Sequence, residues 1–398
     1  MRILCLSGWF PYPPDVGARA RLFSLLREIG RAHAVDLLCF FHADETVSES
    51  ALPSGVSLLG ALPAPTERRS RPSLGTLLSP YPRAIAEQYT PEMAARLESA
   101  LTDGHYNLVL ACENGPGVTI APYLFQARNV ARVVEDLEVS MIRAKMQAAR
   151  SPLARFRYRQ TWRKQRRYTR ELLGRVQGCT VASETERRAL TDIAPNSPPI
   201  AVVPNGLDPE RYSGGFGPEE PDTIVFPGAL TYEANREAMR FFLREVFPYI
   251  RQARPAATLY ITGRTDGVDL RSLPLGDGVI LTGYLPDVRP RIARSAICVA
   301  PLTLGGGTRI KILEAMALGT PVVATSKGAE GLEVTPGRDI LIADDPAQFA
   351  AAVVRLLSDD ALRSEISARA RQTVRRYNWQ SIGAQLVSFL EEIAERER

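Results

Sequence analysis

An alternation constrains this chain most. Short apolar runs of strand length are separated by stretches of helical period, and the series runs through the chain twice. In the first half the runs are Arg2–Leu6, Val35–Phe40, Leu108–Cys112, Val130–Val134 and Cys179–Ala182, with helical patterns such as Arg19–Arg31 and Pro91–Leu101 between them. In the second they are Thr223–Phe226, Thr258–Thr262, Val279–Thr282, Ile297–Pro301, Pro321–Ala324 and Ile340–Ala343. The helical patterns there are Asn235–Arg254, Val288–Arg294, Arg309–Leu318 and Ala347–Leu357, and Ala361–Arg398 reads as two amphipathic helices broken near Tyr377-Asn378-Trp379. Parallel neighbours need a crossover long enough to hold a helix, so this order predicts an α/β class with parallel sheets. The seam is compositional: Ile200–Pro204 leads into Asn205-Gly206-Leu207-Asp208 and Gly- and Pro-rich sequence up to Pro221. The expected architecture is two Rossmann-like domains facing each other across a cleft, with ligands at the carboxyl ends of the strands. Ala61–Arg83, rich in Pro, Ser and Arg, reads as a surface excursion.

Several classes are excluded. At 398 residues, 45% apolar and 23% charged, the chain can bury a core in each of two domains. No apolar run nears the roughly 18 residues of a membrane span. The opening MRILCLSGWFPYPP is too short and too broken by Gly8, Pro11 and Pro13 for a secretion signal, and reads as a first strand and loop. Cys5, Cys39, Cys112, Cys179 and Cys298 lie scattered in apolar runs, as small buried hydrophobes in a reducing compartment do. With no paired cysteines at ligand spacing and only His33, His42 and His105, a zinc or non-haem iron enzyme is not expected. The net charge is +5, but basic residues crowd between Met141 and Arg175, where Glu171 is the only acid. That excess would be felt by anionic surfaces.

The chemistry concentrates in Gly305–Thr325, GGGTRIKILEAMALGTPVVAT, a glycine loop and helix between two strands. Thr308 reads as N-cap, and Gly319 with Pro321 as the stop. Gly305, Gly306 and Gly307 would let backbone amides approach an anion. Arg309 and Lys311 in the first turn oppose the helix dipole at about 0.3–1 kcal/mol each, a penalty that a docked diphosphate would reverse. The alternative is that both side chains reach solvent. Ile310, Leu313, Glu314 and Ala317 share one face at helical period, which sets Glu314 on an apolar stripe. A carboxylate there needs hydrogen bonds, from a ribose diol or from an arginine at the core's edge.

This segment resembles the donor-site helix of family-four retaining glycosyltransferases of the GT-B fold. Further matches run along nearly the whole chain: PYPPDVGARARLFSLLREI (Pro11–Ile29), VVPNGLD (Val202–Asp208), IVFPGALTYEANREAMRFF (Ile224–Phe242), LYITGR (Leu259–Arg264), VILTGYLPDVRP (Val279–Pro290) and GAEGLEV (Gly328–Val334). The flavour is that of a subgroup associated with bacterial exopolysaccharide and exosortase loci. The resemblance implies an N-terminal acceptor-side domain over 1–203, a C-terminal donor domain over 204–376, and a last helix, 377–398, packing back on the first. It also implies a donor site. Glu314 matches the second acid of an E-x7-E motif and would hold the ribose, and Gly307 and Thr308 would contact the diphosphate. Tyr284 and Leu285 lie beside the base, and Gly17 approaches the donor phosphate. Gly228, Arg264, Gly305 and Gly306 complete the set. The first acid of the motif is missing, since Gly306 stands there. The Arg/Lys pair usual after the first C-domain strand is absent too, that loop reading GALTYEAN, so Arg309 and Lys311 are expected to supply the positive charge.

The activity the resemblance implies is transfer of a sugar from a UDP- or GDP-sugar to an acceptor hydroxyl, with retention, without cofactor or metal. The protein's task is to stabilise charge on the leaving diphosphate. Asp136-Leu137-Glu138 is a poor D-x-D, and Asp344-Asp345 reads as a helix-capping turn. Acceptor-side candidates are Glu113 and the Glu135-Asp136 pair at strand carboxyl ends, each also readable as a cap or loop acid. The basic, aromatic-interleaved Ala154–Arg175 reads as a helix on anionic lipid, as nucleic-acid contact, or as a solvated helix with its aromatics turned inward. The first suits a lipid-linked acceptor at the inner face of the membrane in the cytoplasm, and nucleic acid is not expected as a partner. The alternatives are a GT-B sugar-nucleotide epimerase or hydrolase, a catalytically silent GT-B scaffold, and an RNA-binding Rossmann protein.

Overall fold

The computed structural model describes residues 1–398 apart from 15–16, 43–44, 66–78, 114–118, 150, 305–308 and 398. The chain forms two units, Met1–Asn205 with Trp379–Arg398, and Gly206–Asn378.

The first unit is a seven-stranded sheet of β1 (Arg2–Ser7), β2 (Ala34–Phe41), β3 (Val56–Pro63), β4 (Leu108–Cys112), β5 (Ala131–Glu135), β6 (Gly178–Val181) and β7 (Ile200–Val202). The order is β3-β2-β1-β4-β5-β6-β7, with every pairing parallel. β4 is buried along its whole length, which is why it reads as an unbroken apolar run. The two edge strands were not among the expected ones. In β3, Gly60 and Pro63 look like breakers. The pairing explains them: Leu58 sits beside Leu37 and Gly60 beside Leu38, so Leu59 bulges out, 42% exposed. A glycine at a bulge and a proline at an edge are where sheets tolerate them. The expected excursion Ala61–Arg83 therefore begins as strand. Its stretch 66–78 lies outside the described residues. The helices are α1 (Gly17–Ala32), α2 (Arg83–Gln88), α3 (Pro91–Asp103), α4 (Ser140–Ala148), α5 (Pro152–Leu173) and α6 (Glu184–Ile193).

The second unit holds β8 (Glu220–Pro227), β9 (Thr258–Thr262), β10 (Val279–Gly283), β11 (Ser295–Ala300), β12 (Val322–Ala324) and β13 (Leu341–Ile342), in the order β10-β9-β8-β11-β12-β13 and again parallel. Its helices are α7 (Glu233–Phe241), α8 (Phe247–Ala253), α9 (Arg289–Ala293), α10 (Ile310–Leu318), α11 (Pro346–Ser358) and α12 (Asp360–Val374). The single helix expected over Asn235–Arg254 is interrupted by a π-turn at Phe242–Val246. Pro248 lacks the amide that would continue the ladder, and the turn drives Phe242 into the core, 5.9 Å from the Phe349 ring. Asp345 caps α11, accepting from the Gln348 amide at 3.0 Å.

The last helix, α13 (Trp379–Arg396), belongs to the first unit and packs along α1. Gly383 permits this, since a Cβ there would stand 2.3 Å from Cβ of Glu28. All five cysteines are buried free thiols. Among the described residues no helix is long and apolar enough to cross a membrane.

Candidate active site

In the second unit the loops that leave β8, β9 and β10 come together at the carboxyl edge of the sheet. These strands are neighbours, so the loops are adjacent, and backbone bonds tie them. Leu230 N donates to Arg264 O (2.9 Å) and Gly263 N to Gly283 O (2.8 Å). Tyr284, 58% exposed, presents its ring with the Arg264 guanidinium 5.4 Å from its centroid. Leu285 is next in the chain. Gly305, Gly306, Gly307 and Thr308 lie outside the described residues, so the expected amide cradle and N-cap receive no structural account.

Helix α10 begins at Ile310, and Arg309 takes the N-cap position with non-helical ψ 74°. The first turn thus carries Lys311 alone, which corrects the expected pairing of two cations there. Arg309 is 7% exposed, and its guanidinium turns to the Lys327–Glu330 segment, donating to Lys327 O at 3.2 Å with the Glu330 carboxylate 4.0 Å away. The expected apolar stripe also needs correction. The face that meets the core carries Ile312, Ala315 and Met316. On the other, only Leu313 is fully buried, while Ile310, Glu314 and Ala317 are half-buried. Both faces of this helix are apolar, so periodicity alone did not decide which one turned inward.

Glu314 accepts a hydrogen bond from Tyr212 Oη at 3.0 Å. Tyr212 ends a 3-10 turn, Pro209–Tyr212. Burial raises the Glu314 carboxyl's pKa, and the Tyr212 hydroxyl, Lys311, Arg211 and Arg289 pull it back. A half-buried carboxylate with one oxygen held is a fit partner for a diol.

Lys311 Nζ donates to Asn235 Oδ1 at 2.8 Å and lies 4.0 Å from the centre of the Phe226 ring. It stands against the loop that leaves β8: a Cβ on Gly228 would be 2.8 Å from Lys311 Nζ and 2.7 Å from Asn235 Nδ2. Burial lowers the Lys311 ammonium to about 7. A cation thus occupies the GALTYEAN loop, reached from α10 rather than from the loop's own sequence.

In the first unit, Gly17 is the first residue of α1. Glu113 Oε1 accepts from the Ile120 amide at 2.6 Å and from the Ala121 amide, and so caps the 3-10 turn Ala121–Phe125. Burial pushes its carboxyl up to about 7. Asp136 adopts positive φ (59°), and its carboxylate lies 3.3 Å from Arg21 Nε. Glu135, fully buried, accepts from Arg21 Nε at 2.9 Å. Arg21, 1% exposed, also donates to Asn205 Oδ1 (3.0 Å) and Val203 O (2.8 Å). Glu135 and Asp136 are thus held by α1, and the candidate acids stand in separate networks. Sequence reasoning missed Arg21, Asn235 and Tyr212. Asn235 and Arg21 lie inside quoted motifs but not at family positions, and Tyr212 carried no signal.

Two parallel-sheet Rossmann-like units in series, with a terminal helix returning to the first, are the GT-B fold. Sucrose-phosphate synthase from Thermosynechococcus elongatus superposes over 100% of both chains at TM-score 0.68 and 16% identity. HepE of Anabaena, solved with UDP and glucose, superposes over 98% of this chain and 100% of its own at TM-score 0.67 and 17% identity. The description "Glycosyl transferases group 1" matches residues 221–359. The phosphatidyl-myo-inositol mannosyltransferase of Mycobacterium leprae is 27% identical over 79% of this chain and 81% of its own. That of Mycolicibacterium smegmatis is 30% identical over 58% and 60%. Residues 221–359 thus match the group 1 glycosyltransferases, and most of the chain is similar to a mannosyltransferase; these similarities are those of a sugar-transferring enzyme.

Proposed function

We propose that the second unit binds a UDP- or GDP-sugar and that the enzyme passes the sugar to an acceptor hydroxyl with retention of configuration, without a metal. The observation that carries this reading is the placement of Glu314 and Lys311 one turn apart on α10. The carboxylate suits the two ribose hydroxyls, and the ammonium, against Gly228, suits the diphosphate. Lys311 would then supply in the leaving group's neighbourhood the charge a divalent ion supplies elsewhere. Tyr284 offers an exposed ring to the base. HepE was solved with UDP and glucose, which supports the same donor class.

The relatives named as phosphatidyl-myo-inositol mannosyltransferases support a glycolipid or glycan acceptor in bacterial polysaccharide or glycolipid synthesis. A cytoplasmic enzyme peripheral to the inner face of the membrane fits that acceptor, with α5 as its contact.

The test is thermal unfolding of metal-stripped protein against UDP, GDP, ADP, dTDP and CDP and their sugars. One nucleotide at about a hundred times its Kd adds about 2.7 kcal/mol. Glu314→Ala abolishes that shift, and chelator leaves it intact. A shift that needs added Mg²⁺ overturns the metal-free reading, and no shift with any nucleotide overturns the donor site itself. Product formed with inverted configuration, read from its anomeric coupling constant, overturns retention alone.

A further inference from the structure

The first unit carries a cavity that donor binding does not use. It measures about 310 Å³ and is lined by Tyr81, Tyr89, Phe125, Gln126 and Tyr168, with Ile85 and Pro122. That is near the lower end of the roughly 300–1,000 Å³ of small-molecule pockets. Its walls are aromatic and braced. Tyr81 and Phe125 meet the Tyr168 ring at 6.0 and 6.4 Å, edge to face. Tyr89 stacks on Tyr123 at 4.8 Å with 13° between planes, yet is 43% exposed. The Arg175 guanidinium lies 4.4 Å from the centre of the Phe125 ring.

The polar groups here are few and point to a ligand. Tyr168 is 2% exposed, and its hydroxyl is buried with no hydrogen-bond partner among the described residues. An unmet buried hydroxyl costs about 1–3 kcal/mol, so an apolar occupant would leave that cost in place. Tyr81 Oη donates to Glu171 Oε2 at 2.9 Å and keeps its lone pairs. Gln126 Nε2 donates to Tyr89 Oη, leaving the amide oxygen open. Aromatic faces with hydroxyl and amide groups between them match one kind of molecule: a ring whose faces are C–H and whose rim is hydroxyl.

We propose that this cavity is a saccharide-ring subsite for the acceptor, with a pyranose or cyclitol stacked on Tyr89 and hydrogen-bonded by Tyr168 Oη and Gln126. Its acceptor role rests on the sugar-transfer reading, whereas ring binding as such does not. The measurement is saturation-transfer NMR with methyl α-mannopyranoside, methyl α-glucopyranoside and myo-inositol as probes, irradiating aromatic protein protons. The ring C–H protons of at least one probe saturate. Tyr89→Ala and Tyr168→Phe each weaken that probe's affinity at least fivefold while keeping a cooperative melt and the nucleotide-induced shift, and Tyr168→Phe, relieved of the unmet hydroxyl, melts no lower than wild type. Glu314→Ala loses the nucleotide shift and keeps the sugar signal, so failure of the donor site and failure of this one are told apart. Silence from all three probes overturns the proposal. So does a sugar signal indifferent to both tyrosine variants, or an octyl phosphate whose chain, and not the sugar, loses binding in Tyr89→Ala.

Discussion

At the residue scale, Lys311 is the group whose chemistry depends most on its surroundings. Burial holds its ammonium down to about 7, against an ordinary value of 10.5. Between those values the unfolded chain holds a proton that the folded chain lacks, so this group's contribution to stability rises with pH from about 7 to 10.5. A bound diphosphate does the opposite, favouring the charged form and drawing in a proton. Affinity for the stabilising nucleoside diphosphate should therefore weaken as pH rises from 7 to 9. Titration calorimetry in two buffers of different ionisation enthalpy should show proton uptake across that range. Lys311→Met should bind more weakly at pH 7 and lose the uptake. Equal pH slopes in the two proteins would remove Lys311 from the proposed diphosphate site. Glu314 was legible because an acid on a largely apolar helix is an anomaly within a few residues. Its partner Tyr212 lies 102 positions away and Lys311's partner Asn235 lies 76 away. Such pairings exist only once the sheet has brought the loops together.

At the element scale, legibility tracks how local the determinant is. Central strands such as β1 and β4 were readable because burial leaves their interiors an unbroken apolar run, Ile3–Leu6 and Leu108–Cys112. β3 was not, since its glycine and proline make sense only against the bulge with β2. The π-turn likewise answers a packing demand at Phe242 that no period of 3.6 contains. The stop of α10 was local: Gly319 has φ 80° and ψ 19°, and its amide returns to the last turn. A Cβ there would also stand 2.1 Å from Arg371 Nη2, which donates to Leu318 O at 3.0 Å. Gly319→Ala therefore meets a left-handed penalty of about 1–2 kcal/mol and displaces an arginine that caps the same helix. The second unit should melt about 4 °C lower or more, read by calorimetry. An unchanged melting temperature would mean that the helix end relaxes freely, and that α10 is not fixed at the end beyond Lys311 and Glu314.

At the scale of the whole molecule, the net charge of +5 understates an asymmetry concentrated on α5. The helix divides along its length. Tyr168, Thr169, Leu172 and Leu173 bury its carboxyl half in the first unit's core, and Trp162 packs against that core. The inward-turned reading of the aromatics therefore holds there. The amino half does not turn inward: Leu153 is 71% and Phe156 59% exposed, among exposed Arg155, Arg157 and Arg159. Apolar side chains flanked by arginines on an anchored helix are suited to an anionic lipid surface, where each basic residue contributes about 1 kcal/mol. Sedimentation with phosphatidylcholine vesicles, with and without phosphatidylglycerol, checks it. The protein should pellet with the anionic vesicles and release as salt rises. Arg155→Ser with Arg159→Ser should lower partitioning about thirtyfold by that per-residue figure. Leu153→Ser with Phe156→Ser should weaken it as well, and neither pair should move the melting temperature, because none of the four packs in the core. Equal partitioning into neutral and anionic vesicles would mean that the charge on α5 serves something other than a membrane.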